Sequence, residues 1–102
     1  MSEMHFLEPY ETELVSGAEM SAGRRVPDLP ARRIAWLIKF HLRELGVTDR
    51  GWSVLYRDPT DGRLWEKTYP KSYLQGGGPA VLRVISVEEA RSRYGAKAVD
   101  EA

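Results

Sequence analysis

Two runs of alternating residues, "WSVLYR" (52–57) and "RLWEKTY" (63–69), flank the five residues "DPTDG". Nothing else in the sequence restricts the fold as tightly. Successive side chains of a strand point to opposite faces. Pro59 begins a turn and Gly62 supplies the left-handed residue that closes it. The two runs therefore predict a β-hairpin in which Asp58 lies opposite Arg63. That register sets Tyr56 across from Trp65, Val54 across from Lys67 and Trp52 across from Tyr69, all on one face. The other face holds Ser53, Leu55 and Arg57 against Leu64, Glu66 and Thr68 and is far poorer in aromatics. A slip of one residue would exchange the two faces.

The aromatic face needs a cover, and the stretch before the hairpin offers one. Ile34, Leu37, Ile38, His41, Leu42 and Leu45 recur at spacings of three and four, the stripe of an amphipathic helix. Asp28 is a plausible N-cap, Pro30 falls in the first turn where its missing N–H does no harm, and Gly46 is the expected stop. Trp52, Tyr56, Trp65 and Tyr69 then form a core beneath the stripe, since each aromatic can bury on the order of 150–250 Å².

Upstream, "TELVSGAEM" (12–20) and "GRRVP" (23–27) read as a hairpin or as extended edge segments. Downstream, "AVLRVIS" (80–86) is a further strand. "SVEEARSRYG" (86–95) is a short helix with Ser86 as N-cap, Glu89 in a capping box and Gly95 as stop. The expected fold is α+β: an antiparallel sheet with elements in the order β-β-α-β-β-β-α, packed on one main helix and a short C-terminal helix. The 102 residues suit one domain spanning 1–102, with 1–10 and 96–102 expected to be mobile.

The chain carries no net charge and no cysteine. Disulfides and thiolate metal sites are thereby excluded, and a reducing cytoplasm fits. No apolar run approaches the ~18 residues of a membrane span, and the acidic "MSEMHFLEPYE" start lacks the features of a signal peptide. Charge is unevenly spread. Residues 1–30 hold six acids against two arginines, a balance of −4, which leaves room for an acidic patch facing a basic partner. A neutral total argues against a general nucleic-acid coat.

Catalytic chemistry finds little footing. The two histidines are His5, near the terminus, and His41, inside the apolar stripe. A base in a stripe, with no nucleophile elbow elsewhere, reads as structural. Metal-ligand spacings are missing. Glu11/Glu13 and Glu88/Glu89 read as solvated charges. Gly76, Gly77 and Gly78 are followed by Pro79 and a strand, whereas a phosphate loop needs Lys and Ser/Thr at a helix start. The glycine run and Pro79 therefore read as scaffold, a tight backbone crossing. No catalytic residue, metal or cofactor is expected.

The far side of the predicted helix is unusual. With Ile34 at 0° on a helical wheel, Trp36 falls at about 200° and Phe40 at about 240°. Arg32, Arg33, Lys39 and Arg43 surround them. Either the N-terminal segment, through Phe6, Leu7 and Tyr10, folds over these aromatics, or they form a patch for a partner. Trp36, Phe40, Arg33, Lys39 and Arg43 are the candidate partner-binding residues, joined by the acidic Glu8, Glu11 and Glu13.

Five motifs in order carry a family resemblance: "GW" at 51–52, "LYRDPTDGRLWE" at 55–66, "TYP" at 68–70, "GGGP" at 76–79 and "EEARSRYG" at 88–95. "LEPYETELV" and "RIAWLI" add to it. With these the chain resembles immunity protein 27, a family of immunity proteins from bacterial polymorphic toxin systems. The resemblance implies a small cytoplasmic protein that binds a cognate toxin and blocks it, without catalysis. It also implies that Trp52, Tyr56, Trp65, Tyr69 and the glycine motif hold the fold rather than read the partner. Lys67 stands where an aliphatic residue is expected, which puts it at the rim of the core with its ammonium in water. The partner is then a toxin or a second copy of the chain, with no membrane and no direct nucleic acid. The other class that stays open is a nucleic-acid or regulatory binding module that stacks bases on the aromatic sheet face.

The scaffold reading of the glycines has a direct test. At least one of Gly76, Gly77 and Gly78 should adopt positive φ, where a Cβ costs about 1 kcal/mol or more. Replacing that residue with Ala should lower the melting temperature before it alters any binding. Lost partner affinity at an unchanged melting temperature contradicts the scaffold role.

Overall fold

In a computed structural model, residues 6–15, 20–21, 24–25, 29–70 and 80–100 are described. The hairpin forms as β5 (Ser53–Arg57) and β6 (Leu64–Thr68), and its register is the expected one, with Tyr56 opposite Trp65 and Val54 opposite Lys67. Asp58 and Arg63 close it through a backbone hydrogen bond of 2.9 Å, and Gly62 sits at φ 78°. β7 (Val81–Ile85) pairs with β6, and β1 (Glu13–Val15) pairs with β7. With β4 (Arg43–Thr48) outside β5, the five-stranded antiparallel sheet has the order β1-β7-β6-β5-β4. A separate two-stranded ribbon joins β2 (Met20–Ser21) to β3 (Arg24–Arg25). The upstream runs are thus an edge strand plus a short ribbon.

Strand β4 corrects the expected helix. α1 spans Leu29–Phe40, with Pro30 as its second residue. The N–H groups of His41 and Leu42 both bond the Leu37 carbonyl, at 2.9 and 2.7 Å. This wide closure turns the chain into β4 before Leu45 and Gly46. The apolar spacing runs on through Leu42, which is buried with the helix stripe, but Leu45 sits in a β-bulge between Glu44 and Gly46 and packs on the opposite side of the sheet. Gly46 is not a helix stop. A Cβ there would lie 3.5 Å from both Tyr94 and Ala98, an ordinary contact distance, so the C-terminal helices pack beside β4 at this point without requiring a glycine. The proposed cap Asp28 and the run Gly76–Pro79 lie outside the described residues.

Both faces of the sheet are covered. On one, Ile34 and Leu37 of α1 pack with Leu7, Leu42, Tyr56, Trp65 and Leu82. Trp65 is 0% exposed. On the other, α2 (Val87–Tyr94) and α3 (Ala96–Asp100) bring Ala90 and Val99 onto Leu55, Leu64 and Ile85. Ser86 caps α2 as expected, accepting from the Glu89 N–H at 3.0 Å, and Gly95 ends it at φ 93°. The segments expected to be mobile include Leu7 and Val99, which are both buried.

The second face holds one charge in its middle. Glu66 is fully buried, yet each carboxylate oxygen is paired. Arg93 donates to both, at 3.0 and 2.8 Å, and the Tyr94 hydroxyl donates at 2.8 Å. Arg83 lies 3.4 Å away and is shared with Glu89. A buried charge is tolerated when opposite charges and hydrogen bonds surround it. Glu89, expected to be a solvated charge, instead pairs with Arg83 and Arg93.

Two phenols record the burial. Burial, then the charge of Glu44 and neighbouring Tyr69, pushes Tyr56 up to about 12 from the usual 10.0. Burial and the Glu66 carboxylate raise Tyr94 as well. In both cases folding favours the neutral phenol, so the stability is complete below the unfolded value and is lost as pH rises through the folded one. Unfolding free energy from urea titrations should stay level up to pH 10.0 and fall between 10.0 and about 12. Tyr56→Phe should lessen that fall and leave the share due to Tyr94; an unaltered slope would remove Tyr56 as a source.

Candidate functional site

α1 buries one side and presents the other. Arg32, Ala35, Lys39 and Phe40 are exposed, and Phe40 retains 65% of its surface. Trp36 is half-buried, with its ring 6.2 Å from that of Phe40. Lys39 Nζ sits 5.3 Å from the Phe40 ring centroid, within cation–π range.

Residues 6–12 run beside this helix as a strap. Leu7 enters the core and Phe6 turns outward, stacking on His41 at 4.2 Å and on Trp36 at 5.7 Å. Two arginines fasten the strap, largely through its backbone. Arg33 donates to both oxygens of Glu11, at 2.6 and 2.7 Å, and to the Phe6 carbonyl at 2.8 Å. Arg63 donates to the carbonyls of Glu11 and Glu8, at 2.6 and 3.0 Å. The Glu8 N–H in turn donates to the Glu11 carboxylate at 2.8 Å. Charge-assisted bonds of this kind are about twice as strong as neutral ones.

The candidate residues thus separate into three groups. Trp36, Lys39 and Phe40 share the outer face of α1. Arg33 and Glu11 engage each other, so Glu11 is not the solvated charge expected of it, and Glu8 lies on the strap. Arg43 and Glu13 point elsewhere. Arg43 is not on the helix but in β4, paired with Arg57, and Glu13 pairs with Arg83 in β1–β7. Alternation puts both on the face covered by α2 and α3. Of the expected cover for the aromatic pair, Phe6 supplies a ring and Leu7 a buried anchor, while Tyr10 stays 80% exposed. Phe6 as a neighbour of Trp36 was among the alternatives legible in sequence. The arginine clamps were not, because bonds to carbonyls leave no pattern.

The aromatic sheet face offers no platform for bases along most of its length. Tyr56 and Trp65 are buried beneath α1, and the Arg63 guanidinium covers the Trp65 ring at 5.0 Å. Trp52 was expected in the core but lies at the far end of the face, beyond α1, and is 44% exposed. It meets the half-buried Tyr69 edge to face at 5.2 Å, and Lys67 Nζ lies 5.2 Å from the Tyr69 ring.

His41 invites comparison with a catalytic base. Its Nε2 lies 2.9 Å from Asp58 Oδ1 and 3.4 Å from Thr60 Oγ1. Both contacts use the same ring nitrogen, whereas a triad assigns its acid and its nucleophile to different nitrogens. Asp58 is fully buried and also accepts the Thr60 N–H at 2.8 Å. The pair therefore ties the end of α1 to the β5–β6 turn. Among the described residues, no three His, Asp or Glu side chains are grouped to hold a metal ion, and no helix is long and apolar enough to cross a membrane.

Asp58→Ala should cost about 2–4 kcal/mol in urea unfolding, since it strips a buried donor set of its acceptor. Asp58→Asn keeps an oxygen for Thr60 and should cost roughly half as much. Equal losses would show that the turn geometry does not depend on that oxygen.

No curated protein and no solved structure matches the chain. The family model of immunity protein 27 matches residues 20–86. That span takes in α1, the hairpin, the glycine run and β7, while the strap and α2–α3, with the motif "EEARSRYG", lie outside it. Covering well over half of the sequence, the match places this chain in the immunity protein 27 family.

Proposed function

We propose that the chain is a non-catalytic immunity protein that binds a cognate toxin in the cytoplasm and neutralises it by direct contact. It would act as a single domain over residues 1–102, with Trp36, Lys39 and Phe40 at the centre of the docking face. Family membership supports the class of function. The observation that carries the choice of face is Phe40, 65% exposed on a helix whose other side is anchored in the core. Large aromatics beside cations on a rigid element are the usual energetic anchors of protein interfaces. The same surface could serve a second copy of the chain. A base-stacking module is the weaker reading, since the rings that would stack bases are mostly beneath α1.

The acidic residues of the N-terminal third enter this proposal unequally. Glu11 is engaged by Arg33, whereas Glu13 is exposed at the sheet edge and Glu8 half-buried. Among the described acids of this segment, steering of a basic toxin would therefore fall to Glu8 and Glu13 rather than Glu11.

The test uses the toxin domain encoded beside this chain's gene. The wild-type protein should bind it and abolish its toxicity on co-expression. Phe40→Ala should leave the melting temperature nearly unchanged and weaken the complex by at least ~2 kcal/mol. Absence of binding by the wild type refutes the function; full affinity of the Phe40 variant refutes the face.

A further inference from the structure

We infer, resting on the toxin-binding reading, that the docking face is assembled from two chain segments. Phe6 of the strap completes a ridge with Trp36 and Phe40, and the ridge takes an apolar projection of the toxin rimmed by carboxylates. Phe6 is 53% exposed although its ring stacks on both Trp36 and His41. Its neighbour Leu7 is buried, so the strap cannot rotate to hide the ring without emptying the core site of Leu7. The Phe6 carbonyl and the Glu11 carboxylate are both held by the single guanidinium of Arg33. Arg33 and Glu11 are thus positioning residues: they fix an aromatic anchor before the partner arrives, which removes the ordering cost of binding.

The chemistry of the partner follows from charge. Arg32 and Lys39 flank the ridge, and neither has an ion pair among the described residues. The nearby Glu11 is neutralised by Arg33. Complementarity calls for carboxylates around an apolar centre. A second copy fits poorly, because a two-fold interface sets each patch against itself and would bring these cations together. Nucleic acid fits poorly as well, since a backbone needs a track of cations, and here two flank three rings.

Affinity for the toxin domain encoded beside the gene, measured with melting temperatures, separates the outcomes. Phe6→Ala and Lys39→Glu should each weaken binding by about tenfold or more while the protein stays folded. Glu11→Gln should weaken it too, but add no further loss once Phe6 is already Ala, because the clamp acts through that ring. Additive losses overturn the positioning role. If Phe40→Ala weakens the complex and Phe6→Ala does not, the composite ridge is wrong while the docking face stands. An unchanged affinity of Lys39→Glu overturns the acidic rim. Lys39-dependent dimerisation in sedimentation, or Lys39-dependent binding of a 30-nucleotide (roughly three-turn) DNA duplex, replaces the toxin with the other occupant. If the wild type does not bind the toxin at all, the functional reading itself fails.

Discussion

The turn at Asp58 decides which side of the sheet each residue sees. Its backbone closes the β5–β6 hairpin on Arg63, and its carboxylate holds Thr60 and His41. Trp65 and Glu66 are neighbours in β6, one buried among mostly aliphatic side chains and the other among arginines. Shifting the register by one residue would put the carboxylate under α1 and the indole among the cations. Neither layer could then form. Because the same carboxylate reaches His41, the residue that follows α1, the hairpin register and the placement of the helix are set at one point.

Much of this was legible in the sequence. Strict alternation around "DPTDG" is a strong local signal, and the cap at Ser86 and the stop at Gly95 follow from side-chain chemistry within one turn. The end of α1 was not legible. Leu42 and Leu45 continue a spacing of three, so periodicity alone runs the helix past its closure at Leu37. β4, "RELGVT", hides behind that overrun: it is charged at its start, interrupted by a bulge, and carries a glycine that reads as a helix stop. α3 was missed because five residues with one buried valine give no periodicity.

The candidate face shows the same division. A helical wheel finds Trp36 and Phe40 on the side away from the stripe, since that depends only on the helix. It also assigns Arg43 to that side, and this fails with the helix boundary. The fastening of the strap is invisible to such reasoning. Arg33 reaches 22 residues back to Glu11, and Arg63 reaches 52. Contacts of that range, one to a carboxylate and one to a backbone carbonyl, depend on the whole fold and on no local pattern.

Helix α2 attaches to the sheet in an uncommon way for so polar a segment. Ala90 is its one buried residue, and the apolar area it covers is small. What holds it is the carboxylate of Glu66, reached by Arg93 and Tyr94 from the last turn. Were α2 to peel away while the sheet stayed intact, Glu66 would be left among apolar strands with only Arg83 nearby. That intermediate is costly, several kcal/mol for an unpaired buried ion. Terminal helices usually open far more easily than the body of a domain. Here a single acid couples α2 to the centre of the sheet, so its backbone amides should exchange with solvent only as readily as those of β6.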